Sequence, residues 1–103
     1  MAFTGDESDP ISLATGSQWT ANYRNASPNS TNAHFFGYKK LNSILKQDGC
    51  IGIRAYYALD DQGQKQLILV GVDANEKDLS AGIILDRSFP CPPYCGGGGG
   101  LGG

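Results

Sequence analysis

From Cys50 to Asp73 the chain reads as two apolar runs on either side of a polar break. In the first, Ile51, Ile53, Ala55, Tyr57 and Leu59 alternate with other residues, the period of a strand with one buried face. The second, Leu67 to Val72, is nearly continuous in Leu, Ile and Val, as in a strand covered on both faces. Asp60, Asp61, Gln62 and Gly63 lie between them, a hairpin signal of the longer-loop kind. This hairpin is the element around which the fold is expected to form.

Weaker signals flank it. Ile11 and Leu13 alternate around Ser12 and predict a short edge strand. Thr15 then reads as a helix N-cap, with Gln18 completing a capping box. That helix is expected to reach about Asn25, with Trp19 and Tyr23 on one face and packed in the core. Asn25 to Asn32 is a loop by composition; its two glycosylation triplets matter only in a secreted eukaryotic chain. A second helix is expected from Ala33 or Gly37 to Gln47, with Tyr38, Leu41, Ile44 and Leu45 as its apolar stripe. Gly49 fits the left-handed position after its end. Phe35, Phe36 and Tyr38 are candidates for an aromatic cluster with Trp19. Beyond the hairpin, Ala74 to Ala81 is a polar connection, and Ile83, Ile84 and Leu85 predict a third strand.

The expected class is therefore α+β: a small three-stranded, mainly antiparallel sheet packed by two helices, with a flexible Pro/Gly-rich C-terminal tail. Residues 1–10 read as a flexible N-terminus, 11–88 as a single domain and 89–103 as the tail.

Length and composition narrow this only slightly. The chain has 103 residues, which points to one domain, and is 40% hydrophobic and 17% charged, enough apolar material for a core. The net charge is −2, and Lys39, Lys40 and Lys46 read as a solvated helix face, so a nucleic-acid partner is not expected. No apolar run approaches the ~20 residues of a membrane span. The start of the chain lacks the basic and apolar parts of a secretory signal, so a cytoplasmic location is expected, with release or non-classical export left open.

Candidate chemistry is sparse. The three cysteines allow one disulfide, and the candidate pair is Cys91 and Cys95, with Cys50 as a small buried hydrophobe. Two prolines between Cys91 and Cys95 stiffen the loop, and the spacing differs from the C-x-x-C of redox sites. His34 is the single histidine and has no ligand partner at motif spacing. Asp73, Asn75 and Asp78 lack the glycine and closing glutamate of a calcium loop. No cofactor, metal or catalytic set is expected.

Three resemblances bear on the tail. Trp19 to Cys95 resembles a group of small bacterial proteins of no known activity. They share a WTANYR-like segment, a Gly-Val-Asp after an apolar strand (Gly71 to Asp73) and a closing Pro-Cys-Pro-Pro-Tyr-Cys (Pro90 to Cys95). The resemblance implies one intact bacterial domain and brings no activity. Leu101, Gly102 and Gly103 resemble the end of ubiquitin-like modifiers, which implies an exposed di-glycine presented to an activating enzyme. The order of helices and hairpin differs from that family's. The stretch from Cys91 onward also looks like the core of a modified or secreted peptide behind a folded leader.

The leading expectation is a non-catalytic protein-interaction or self-assembly module that is not an enzyme. Its partner would be protein, itself or a larger assembly. Its contact surfaces would be an exposed strand edge and the tail, with Phe89, Tyr94, Leu101, Gly102 and Gly103 as candidate interaction residues.

Overall fold

A computed structural model describes residues 2–97 and 99–102 of the chain. The class is α+β, and the described elements are α1 (Leu13–Ala26), β1 (Ala33–Phe35), α2 (Tyr38–Leu45), β2 (Gly52–Leu59), β3 (Lys65–Val72), β4 (Ile84–Leu85) and β5 (Phe89–Cys91). They fall into two compact units. One takes the residues up to Ser8 and Phe36–Ser88; the other takes Asp9–Phe35 and the residues from Phe89 onward. No described helix is long and apolar enough to cross a membrane.

The first unit is built on the hairpin. β2, β3 and β4 form a three-stranded antiparallel sheet in that order, with Tyr57 opposite Leu67 and Leu69 opposite Leu85. A five-residue connection, Asp60 to Gln64, joins β2 to β3. Gly63 donates its N–H to the Asp60 carbonyl at 2.9 Å and takes φ +76°, a conformation glycine adopts without a Cβ clash. The Asp60 carboxylate accepts the backbone N–H groups of Gln62 and Gln64, each at 2.9 Å, and fastens the turn. β3 lies between two strands, and Leu69, Val70 and Val72 along it are buried.

The helix on this sheet is α2. Ile44 on its apolar stripe is fully buried. A side chain at Gly71 would come within 3.2 Å of Ile44 Cγ2, so the missing side chain is what lets helix and strand approach. Gln47 ties the end of α2 to β4: its amide accepts the Ile83 N–H at 2.9 Å and donates to the Ile44 carbonyl at 2.9 Å.

The second unit holds α1 and a two-stranded antiparallel ribbon, with Ala33 opposite Cys91, His34 opposite Pro90 and Phe35 opposite Phe89. Burial holds His34 below its ordinary pKa. In this unit Leu101 lies over Gly16 of α1, and Arg24 donates to the Leu101 carbonyl at 2.6 Å.

Several sequence expectations are corrected. Ile11 and Leu13 form no strand. Ser12 between them is the N-cap of α1, accepting the Thr15 N–H at 3.1 Å, so the cap sits three residues before Thr15. Ile11 leans back on Gly16, the position a hydrophobic staple contacts. Ala33–Phe35 is a strand, and α2 begins only at Tyr38 after Gly37. Gly49 does take a positive φ, +79°, but three residues beyond the C-cap Lys46, in the turn leading to β2. Trp19 and Tyr23 are not core: Trp19 is 62% exposed. The alternating face of β2 is covered only near its start. Tyr57 is 95% exposed and Leu59 71%.

Candidate functional site

That uncovered half of β2 is the most distinctive surface of the first unit. Its geometry follows from hydrogen-bond parity. Asp60 donates its N–H to the Gln64 carbonyl at 2.9 Å, so this pair is hydrogen-bonded within the ladder. Hydrogen-bonded pairs recur every second residue in an antiparallel ladder. Arg54, Tyr56 and Ala58 therefore point their backbone groups at β3. Ala55, Tyr57 and Leu59 point theirs away from it. The far side of β3 agrees: the Gly71 carbonyl, opposite Ile53, accepts the Leu79 N–H at 2.8 Å rather than a group of β2.

No described strand pairs with the outer side of β2. Because side chains alternate with the same period as the backbone groups, Ala55, Tyr57 and Leu59 also share one sheet face. It is the face that carries α2 further along, at Gly71. The helix has eight residues, about 12 Å, against roughly 27 Å for an eight-residue strand. It cannot cover both ends. The segment Ala55–Leu59 also contains no charged residue and no proline, the usual guards of an open edge.

The opposite face of β2 is held by a polar cluster. Arg54 Nη1 makes an ion pair with Asp78 Oδ1 at 2.5 Å, and the Tyr56 hydroxyl donates to the other oxygen of the same carboxylate. Arg54 also stacks over the Phe3 ring, 5.8 Å from its centroid. Phe3 donates its N–H to the Ala74 carbonyl at 3.0 Å, which fastens the N-terminal segment beside β2. Between this segment and the start of β2 lies an open cleft of about 370 Å³, lined by Phe3, Gly5, Glu7 and Ile51 to Arg54 among others. The Glu7 carboxylate accepts the N–H groups of Thr4 and Gly5, which holds its pKa below the ordinary value.

In the second unit, Cys91 and Cys95 are joined by a disulfide with their Cα atoms 4.7 Å apart. Cys91 is buried, while Tyr94 is 60% exposed. The Phe89 and Tyr94 rings meet at 4.9 Å, tilted by 45°. Phe35, directly across the ribbon from Phe89, is 65% exposed, so it adds a third aromatic at this place. Leu101 sits on α1 as described, Gly102 is exposed, and Gly103 lies outside the described residues. Cys50, the free cysteine, is half-buried and donates to the Gly52 carbonyl at 3.3 Å.

Among the described residues no cluster of His, Cys, Asp or Glu is arranged to hold a metal ion. Asp73 accepts the N–H groups of Asn75 and Lys77 in its own turn, and Asp78 is held by Arg54 and Tyr56. Sequence reading named the tail residues and an unspecified strand edge. It did not identify Tyr57 and Leu59, which it assigned to the buried face. The signal for them was the lack of a helix long enough to cover an eight-residue strand.

Compared with known proteins, the chain matches no protein-family model, no curated protein and no solved structure.

Proposed function

We propose that the protein is a non-catalytic protein-interaction or self-assembly module. The observation that carries this reading is the outer edge of β2, where Ala55, Tyr57 and Leu59 expose backbone donors, acceptors and apolar side chains together. An open, uncharged edge of this kind binds extended chain by adding a strand, with backbone hydrogen bonds for affinity and alternate side chains for selectivity. The exposed Phe35, Phe89 and Tyr94 rings are a second apolar surface, in keeping with the same role. Three carboxylates of this unit are engaged in structure: Asp60 and Asp73 in their turns, Asp78 with Arg54 and Tyr56.

Light scattering on the purified protein, from roughly 10 μM to roughly 1 mM, tests the self-assembly side of the reading. The expected outcome is a concentration-dependent rise above the 10.9 kDa of the monomer. A constant monomer mass up to the highest concentration would overturn self-assembly as the function.

A further inference from the structure

We infer that the partner of the β2 edge is a second copy of the same chain. The two β2 strands pair antiparallel about a two-fold axis at Tyr57. This rests on the interaction reading above and specifies its partner and register.

The inference comes from self-complementarity. A two-fold pairing of identical edges sets outward-facing residues of one strand opposite outward-facing residues of the other, so its axis falls on a residue and not between two. Tyr57 is the outward residue at the middle of the uncharged stretch Ala55–Leu59, and an axis there keeps that whole stretch paired with itself. With Tyr57 opposite the partner's Tyr57, Ala55 falls opposite the partner's Leu59, and Leu59 opposite the partner's Ala55. All three pairs are then hydrogen-bonded pairs, giving six backbone hydrogen bonds. The large Leu59 side chain meets the small Ala55 each time, and the tyrosines meet at the axis. The same register sets Arg54 opposite the partner's Asp60, so the charges flanking the apolar stretch are opposite in sign.

The ends of the strand agree with this register. Past Asp60 the partner's turn is directed toward the start of β2, where the N-terminal segment at Gly5 lies against Ile51 and bounds the paired stretch. A one-residue slip would set outward-facing residues of one copy opposite inward-facing residues of the other and form no ladder. The assembly also closes. Joined at β2, the two three-stranded sheets become one of six, whose outer strands are the two-residue β4 of each copy, Ile84–Leu85. Edges that short recruit no third copy, so the product is a dimer and not a fibre.

Three variants of the full-length chain test the register. Tyr57→Pro removes an outward N–H but no hydrogen bond of the β2–β3 ladder, so the protomer keeps its fold. Loss of the two central hydrogen bonds should raise the dimer dissociation constant by roughly 30-fold or more in sedimentation velocity. Tyr57→Lys serves if the proline variant unfolds, since two ammonium groups then oppose each other at the axis. Tyr57→Cys, in a Cys50→Ser background, should form an intermolecular disulfide under mild oxidation, because hydrogen-bonded antiparallel pairs set Cα atoms about 5.5 Å apart. Gln62→Cys in the same background should not, its two copies lying roughly 30 Å apart along the strands. Dimers that persist in folded Tyr57→Pro or Tyr57→Lys, or that cross-link equally at position 62, overturn this register and leave the interaction reading standing. A wild-type chain that stays monomeric at every concentration overturns both.

Discussion

Gly71→Ala is the sharpest probe of the fold that carries the β2 edge. Gly71 is buried in the central strand, under α2. A Cβ there would stand 2.9 Å from Cys50 Sγ, 2.9 Å from Gln47 Nε2 and 3.2 Å from Ile44 Cγ2. Such contacts are too close for the two nearest atoms, so both side chains must shift. Gln47 cannot do so freely, because its amide bonds both the Ile44 carbonyl and the Ile83 N–H. Overpacking of this kind costs about 1–3 kcal/mol. Replacing a mid-strand glycine returns about 0.5–1 kcal/mol of backbone entropy. The net loss expected is about 1–2 kcal/mol, or roughly 4–8 °C in Tm for each kcal/mol. Urea melts should show a lower midpoint with an unchanged slope. Adding Cys50→Ala removes one of the two close atoms and should restore at least about 0.5 kcal/mol, read as a coupling energy in the double-mutant cycle. A Gly71→Ala chain as stable as the wild type would refute the close helix–strand approach.

Other expectations follow from single contacts. Ser12→Ala removes the N-cap of α1 and should cost about 1 kcal/mol by thermal melting, whereas Thr15→Ala, at the cap expected from sequence, should cost less. Asp60 is held below its ordinary pKa of 3.8, chiefly by the Gln64 N–H, then by the Gln66 side chain and the Gln62 N–H. A depressed carboxyl pKa contributes stability that is present above its unfolded value and is lost as pH falls through the folded one. Asp60→Asn should therefore flatten the loss of stability on acidification below about pH 4; an unchanged acid limb would remove the turn from the account. Reduction of Cys91–Cys95 should loosen β5 against β1, with a cost of about 2 kcal/mol for a loop this short. The readout is faster amide exchange at Asn32, whose N–H bonds the Cys91 carbonyl at 2.6 Å, and no change there would count against it.

Sequence and structure agree where a local pattern has a single physical solution. The hairpin is legible because two apolar runs flank a polar turn with glycine at the one position that needs positive φ, Gly63. The antiparallel third strand follows from a short connection, and Ile44 from helical spacing. The rest depends on contacts between distant segments. β1 is three residues long, and its partner Phe89–Cys91 carries Pro90, which has no N–H to give. Neither segment shows a strand period on its own. Ile11 and Leu13 alternate as a strand would, yet Ser12 between them caps α1 and decides the local structure. Trp19, Tyr57 and Leu59 keep a core-like spacing without core burial, because period reports which side chains share a face and not whether another element covers it. The tail residues Phe89 and Tyr94 were legible as a candidate surface; their contact with each other was not.

The pairing of β2 edges is tested most directly by amide hydrogen exchange as a function of protein concentration. The outward amides of Ala55, Tyr57 and Leu59 should exchange quickly when dilute and become protected together as concentration rises. Those of Arg54, Tyr56 and Ala58, already bonded to β3, should keep the same protection throughout. Protection of the odd-numbered set that is independent of concentration, or a change spread evenly over both sets, would contradict the account.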